Sequence, residues 1–305
     1  MRPLRTSILR TLLYYDIFDH PLTNSEILTF LPTNSVSAGD VEVALNALVR
    51  EGSVRVSDGF YFIRENGRAL SCERIEKQAR AARLWKIARV VTNLIKQFPF
   101  VRAVMVSGDL SKNVASEDSD IDFFIITKSR RLWICRTLLV LFKKIFLLNS
   151  KKYFCINYYI SVDQLEVKER NIYIATEIAH LKSTYNEDLH HFFLEANCWI
   201  KEYFPNLEWT RNGSSLNGSH FRLLQSLLEL PFRAKWADRI DERLMETMKK
   251  IWKIRYPKLT NEQRDRMFRC RASESRAHGG NFEEKILTAY AGRLEQWGLV
   301  EDPTS

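Results

Sequence analysis

Apolar and polar positions alternate at two different periods along this chain, and the changes of period mark its parts. Over the first fifty residues the spacing is helical. Ile8, Leu12, Leu13, Tyr15 and Ile17 predict a helix over Leu4–Phe18, broken at Pro21-Leu22. Thr23 or Asn24 can cap a short helix through Glu26 to Phe30, ended by Pro32. Ser37 or Asp40 opens a third helix, with Val41, Leu45, Leu48 and Val49 on one face and a stop at Glu51-Gly52. The pattern then turns strand-like. Val54 to Val56, a Ser57-Asp58-Gly59 turn and Phe60 to Ile63 predict a hairpin. From Leu70 to Phe98 the helical period returns, with Ile75, Ala79, Ala82, Trp85, Ile87, Val91, Leu94 and Ile95 along one broad face.

The middle of the chain holds the most apolar strands. Val101 to Val106 is an unbroken apolar run that ends at Ser107-Gly108. A polar loop follows, and a second strand starts at Asp120-Ile121-Asp122 and runs through Phe123-Phe124-Ile125-Ile126. Arg130 to Leu148 has helical spacing, and Tyr153 to Ser161 alternates as a strand. Residues 171 to 204 look helical, as do Phe221 to Trp252, with a break at Pro231, and Phe282 to Trp297. Leu207 to Ser219, with Asn212-Gly213-Ser214-Ser215, is the clearest linker. Arg264 to His278, rich in arginine and followed by Gly279-Gly280, predicts an exposed loop or a flexible nucleic-acid contact. The expected class is α+β. Its parts are a three-helix-plus-hairpin unit over 1–67, a mixed-sheet core over 68–170 and an α-helical C-terminal domain over 171–305.

Composition narrows this picture only slightly. The chain has 305 residues, enough for two or three domains, and its 45% hydrophobic and 27% charged fractions are those of an ordinary globular protein. A net charge of +9 suits an acidic partner such as a nucleotide or nucleic acid. Five cysteines, far apart and without a C-x-x-C pair, fit neither a zinc site nor a disulfide framework and point to a reducing compartment. The N-terminus lacks the long apolar core of a signal peptide. The most apolar segment, Leu138 to Leu148, is interrupted by Lys143-Lys144 and is too short to span a bilayer. A cytoplasmic protein without membrane contact is expected.

The candidate chemistry sits at the head of the second central strand. Residues i and i+2 of a strand point the same way, so Asp120 and Asp122 share a face and repel unless a cation lies between them. Hard oxygen ligands of this kind suit Mg²⁺, which completes its shell with water and substrate phosphates. Gly108 lets backbone approach a ligand, and a helix starting near Leu110 would aim N–H groups at an anion.

Gly108, a ten-residue spacer from Leu110 to Ser119 and then Asp120-Ile121-Asp122-Phe123 resemble the signature of the nucleotidyltransferase superfamily of DNA polymerase beta. The motif covers about twenty residues, and the compatible strand and helix pattern extends it to Ser161. The resemblance implies transfer of a nucleoside monophosphate from an NTP or dNTP to an acceptor hydroxyl, with Asp120 and Asp122 catalytic and holding Mg²⁺ (or Mn²⁺). It further implies nucleotide contacts from Ser107, Gly108, Asp109, Lys112 and Asn157. Two positions depart from the family. Asp109 stands where a serine or glycine is usual, and Asn157 stands on the strand where polymerase-like members carry a third carboxylate. Asp163 has the right parity but lies roughly 20 Å along the strand.

A nucleic-acid end or a nucleotide is the first-choice acceptor, given the basic residues Lys128, Arg130, Arg131, Arg136, Lys143, Lys144, Lys151 and Lys152. Synthesis of nucleotide oligomers in anti-phage defence is a role of the same type. The competing class is a catalytically weak, nucleotide-sensing, DNA-binding regulator, favoured by Asp109 and Asn157. The first unit resembles a winged helix. Its third helix carries Asp40, Glu42 and Glu51 against the single cation Arg50, so docking to a protein partner or self-association is expected over DNA reading. His180, His190 and His191 have no carboxylate at metal spacing and are expected to pack or face solvent.

Overall fold

A computed structural model of the chain describes residues 2–64, 67–148, 152–209, 222–277 and 282–299. Most of the expected linker, Lys151, and the Gly279-Gly280 pair lie outside these residues. The N-terminal unit comprises α1 (Arg2–Asp16), α2 (Asn24–Thr29), α3 (Ala38–Arg50) and the hairpin β1 (Arg55–Ser57) and β2 (Phe60–Phe62). Each short helix begins for a chemical reason. Thr23 and Glu26 form a capping box on α2, and Ser37 and Asp40 form one on α3, so orphan N–H donors of the first turn are satisfied by side chains. Asp58 and Gly59 both take positive φ (52° and 78°), the conformation that matches a two-residue turn to the twist of the strands it joins. Arg64 ties the hairpin back to α1 through Asp16 at 2.9 Å.

The long helix α4 (Gly67–Ile95) leads into β3 (Val101–Ser107) and the single turn α5 (Gly108–Ser111). Then come β4 (Asp122–Thr127), α6 (Leu132–Phe146), β5 (Cys155–Ser161), α7 (Ile172–His180) and β6 (Lys182–Tyr185). They are followed by α8 (Glu187–Ala196), α9 (Ile200–Tyr203), α10 (Arg222–Glu229), α11 (Trp236–Arg255), α12 (Asn261–Met267), β7 (Glu274–Arg276) and α13 (Phe282–Gln296). The five-stranded sheet has the order β6-β3-β4-β5-β7, with β4 and β5 parallel and the other pairs antiparallel. The fold is mixed α/β, as expected.

Both edges of the sheet come from beyond residue 170, so the segment 171–305 is not purely helical and the expected boundary falls within one sheet. The reason these strands escape a pattern reading is their polarity. Lys-Ser-Thr-Tyr and Glu-Ser-Arg are short edge sequences, and edges favour charged and polar residues. Arg264 to His278, expected as a loop, supplies the end of α12 and all of β7, and Arg269 and Arg276 in it are buried.

Strand alternation sends side chains to two separate cores. Val104, Val106, Phe123, Ile125 and Tyr159 pack under α4, α6 and α11. Ala103, Met105, Phe124, Ile126 and Ile160 face the other way, into a core shared with α7, α8, α9, α13 and the N-terminal unit. Tyr14 of α1 meets Tyr290 of α13 edge-on at 5.3 Å, and Tyr15 shares a hydrogen bond of 2.9 Å with His180 of α7. The N-terminal unit is therefore docked on the second face within its own chain. Among the described residues no helix is long and apolar enough to cross a membrane.

Candidate functional site

The site forms where β3 stops and β4 starts. Ser107 and Asp122 are directly paired across the two strands. Between them the chain turns through Gly108, whose φ of +66° is a conformation that L side chains resist. A Cβ there would also lie 2.6 Å from Asp122 Oδ2, so glycine is required both by the backbone and by the carboxylate it touches. The strand begins at Asp122, one turn of the pleat later than expected, and Asp120 precedes it. Asp120, Asp122 and Cys155 nevertheless bring one ligand atom each to within 4.8 Å of one another. Cys155 reaches this cluster because it is paired with Asp122 in the β4–β5 register.

Charge is crowded here. Burial first, and the neighbouring Asp120 carboxylate second, push Asp122 up to about 7, with Asp109 and Glu177 adding to the effect. A hydrogen bond from the Cys155 thiol works in the opposite direction. Asn157 Nδ2 donates to Asp122 Oδ1 at 2.7 Å, and Cys155 Sγ donates to Asn157 Oδ1 at 3.4 Å. Asn157 thus holds a carboxylate in place, with its amide oxygen already accepting. Burial, then the two aspartates, push the Cys155 thiol up to about 12.

Lys112 was expected to reach phosphate or solvent. Its Nζ instead donates to Glu177 Oε1 of α7 at 2.7 Å. Burial pulls its pKa down, but Glu177, Asp109 and Asp122 outweigh it and hold the ammonium charged. The Lys112 backbone N–H is also occupied, by Asp109 O at 3.0 Å, because α5 is a single turn. Asp109 is exposed and accepts from Ser119 Oγ at 3.3 Å. Asp163 hydrogen-bonds Ser129 at 2.7 Å and also Ser161, and takes no part in the site.

A cavity of about 670 Å³ opens on this corner, on the second face of the sheet. Ser107, Gly108, Asp109, Lys112, Asp122 and Asn157 all line it, whereas Asp120 does not. Its volume is in the range of small-molecule sites. The rest of the wall includes Phe18, Phe124, Tyr158, Glu169 and Arg269 and residues of α7, α12, β7 and α13.

No family model, no curated protein and no solved structure matches the chain.

The far wall holds residues that the sequence marked only as part of the arginine-rich segment, Arg269 and Arg276, or not at all. Arg269 Nη1 donates to Glu169 Oε2 at 2.6 Å, and Tyr158 OH donates to Glu274 Oε1 at 2.7 Å. Arg276 Nη2 donates to the Arg266 carbonyl at 2.8 Å, with Glu283 at 3.8 Å. Glu177, Arg269 and Arg276 had no spacing signal, since each arrives from a different element. Cys155 did have one, standing two residues before Asn157 on the same strand. Two of the expected basic residues are used by the fold: Arg131, just before α6, is tied to Asp238 and the Phe232 carbonyl, and Arg136 lies over Trp133 at 5.5 Å.

Proposed function

We propose that the chain is a metal-dependent nucleotidyltransferase with a polymerase beta-like core, moving a nucleoside monophosphate from an NTP or dNTP to an acceptor hydroxyl. The observation that carries this reading is the close approach of Asp120, Asp122 and Cys155 beside a glycine that has no room for a side chain. Two carboxylates on one corner, one of them held partly protonated by burial and its neighbour, form a donor set that a cation would relieve. Their hard oxygens fit Mg²⁺ or Mn²⁺, and the thiol adds a softer atom at the same place. When bound, such an ion neutralises phosphate charge and lowers the pKa of the attacking hydroxyl.

The chain's own residues have definable tasks. Gly108 lets the Asp122 carboxylate lie against the β3–β4 turn, Asn157 fixes the rotamer of Asp122, and α7 and α13 limit water on the cavity side. In the transfer the acceptor oxygen forms a bond to the α-phosphorus and loses its proton to water. The bond from that phosphorus to the α–β bridging oxygen breaks, and pyrophosphate leaves with the electron pair. The test is incubation of the protein with each labelled NTP and dNTP, Mg²⁺ or Mn²⁺, and candidate acceptors. Product with wild type and none with Asp120→Ala is expected; product from both removes the site from the reaction.

A nucleotide-sensing regulator is the second reading, and the Lys112–Glu177 pair favours it, since a lysine so engaged is not free to grip phosphate. Nucleotide binding without turnover in every acceptor trial would select it. We assign the N-terminal unit a winged helix-like, docking role. Its third helix exposes Asp40, Glu42 and Val43, an acidic and apolar surface that suits protein better than DNA.

A further inference from the structure

The strand order separates the two partners of a transfer reaction. In an in-line displacement the attacking and leaving oxygens lie on opposite sides of the phosphorus. If pyrophosphate leaves toward Gly108 and α5, on the β3 side of Asp122, the acceptor must come from the β5 and β7 side. That side of the cavity is built. Asp122 and Phe124 share a face of β4, Phe124 is paired with Tyr158 of β5, and Tyr158 is paired with Arg276 of β7. Arg276 therefore stands on the same face as Asp122, two strand spacings across and two residues along, roughly 12 Å away.

Arg276 is 8% exposed and lines the cavity, and its Nε has no hydrogen-bond partner. That Nε is enclosed, so what the cavity meets is the charge of the guanidinium, which an anion there would offset. Its carboxylate neighbour Glu283 is no closer than 3.8 Å, which leaves the charge only partly matched. Around it the wall offers flat and apolar surface from Tyr158, stacked on Phe124 at 4.5 Å, and from Phe282 of α13, 62% exposed beside the cavity. Elements from both ends of the chain, Phe18 after α1 and α13 itself, bound the space. A polymer end needs an open channel to admit the rest of its strand, whereas a pocket bounded on these sides suits a compact molecule.

Resting on the nucleotidyltransferase reading, we propose that the β5–β7 end of the cavity is the acceptor subsite and that the acceptor is a small hydroxylated anion, a phosphate or a carboxylate, held by Arg276. Of the two first-choice acceptors, a nucleic-acid end or a nucleotide, this sets aside the nucleic-acid end.

The test uses the full chain with Mg²⁺, each labelled NTP, and three acceptors: ribose 5-phosphate, 3-hydroxybenzoate and a single-stranded RNA with a free 3′ hydroxyl. Adduct is expected on one of the two small anions, which tells phosphate from carboxylate, and not on the RNA. Arg276→Gln should raise the acceptor KM about tenfold or more, the cost of losing a charge-assisted contact in a desolvated site, while the nucleotide KM stays in place. Glu283→Gln keeps an oxygen for Asn171, which donates to Glu283 at 2.8 Å, but removes the charge beside Arg276, so it should lower the acceptor KM. Opposite shifts in the two variants are something a merely structural role would not give. Transfer to the RNA alone, or shifts of the same sign, overturns the proposal. Should Arg276→Gln fail to fold, an acceptor KM that does not fall in Glu283→Gln also overturns it. If no acceptor reacts, calorimetric binding of the two small anions decides. Binding kept in Asp120→Ala and weakened in Arg276→Gln upholds the anion subsite while the transfer reading fails. No binding of either anion rejects the subsite itself.

Discussion

Under α4, α6 and α11, the first face of the sheet is filled: Val104, Val106, Phe123, Ile125 and Tyr159 meet Trp133, Leu139 and Ala88, all almost inaccessible to solvent. The buried charges on that side are answered locally, as where Asp241 accepts from the Ile134 N–H at 2.8 Å. Across the sheet, the same strands send Asp122, Phe124 and Tyr158 toward a cavity walled by Glu177, Arg269 and Arg276. The difference follows from chain order. Two of the three helices on the filled face, α4 and α6, directly adjoin β3, β4 and β5 in sequence, so their apolar faces pack straight onto the strands they connect. The other face is roofed by α7 together with α1 and α13, the last two drawn from opposite ends of the chain, and the roof leaves room beneath it. One face supplies stability, and the other spends some of it on a polar site.

The largest expected effect lies on the filled face. Trp133 is 1% exposed and its Nε1 donates to the Arg271 carbonyl at 2.9 Å. Trp133→Ala removes a large buried ring and strands that carbonyl, at a cost of about 3–5 kcal/mol. Urea unfolding measures it. A loss under about 1 kcal/mol would mean that this face is not the rigid half of the molecule.

Next in size is Gly108→Ala, on the cavity face. The added methyl must displace Asp122 Oδ2, 2.6 Å away, or force the turn out of its positive φ. Stability should fall by only about 1–2 kcal/mol, while transfer falls on the order of 100-fold, the scale of losing one placed electrostatic group. Full activity in a folded Gly108→Ala protein would contradict the site as described.

A smaller effect, and one that needs no turnover, comes from pH. Asp122 in the folded protein titrates near 7, against about 3.8 when exposed, because of burial and then Asp120. The folded state therefore holds a proton that the unfolded state has already lost between those values. Stability contributed by this group falls as pH rises from about 4 to about 7 and is level above that. Allowing for partial solvent access, the total is on the order of 2–4 kcal/mol. The melting temperature should drop across this interval, the drop should vanish in Asp122→Asn, and Mg²⁺ should raise the melting temperature more at pH 8 than at pH 5. Equal Mg²⁺ effects at both pH values would remove the cation from Asp122.

The sequence carried the filled face and half of the site. Apolar runs at Val101 and Phe123 found β3 and β4, the Asp-Gly pair found the hairpin turn, and Gly108 with Asp120 and Asp122 found the carboxylate corner. It did not carry β6, β7, Glu177 or Arg276. Those residues sit in polar edge strands or on a helix whose periodicity encodes only its buried side, so their placement is decided by tertiary packing alone. Lys112 shows the same limit. Nothing in the turn after Gly108 announces that α7 brings Glu177 to 2.7 Å from Lys112.

Asp109 gives the smallest effect and the finest test of the cavity face. Its carboxylate is exposed, accepts from Ser119, and lies outside the Asp120, Asp122 and Cys155 cluster. It still lines the cavity and adds to the upward push on Asp122, so its charge is felt at the site across partly hydrated space. Between unit charges about 4 Å apart in water the interaction is about 1 kcal/mol, and here it is no larger before screening. Asp109→Ser should therefore tighten nucleotide binding by at most about fivefold, most clearly when Mg²⁺ is scarce and nothing else offsets phosphate charge. Raising the salt should erase the gain, because an exposed charge is screened where a buried one is not. Nucleotide affinity measured across a Mg²⁺ titration, at low and high salt, checks this. Weaker binding by the serine variant at every Mg²⁺ concentration would instead make Asp109 a ligand, and the carboxylate corner would then extend beyond the cluster of three.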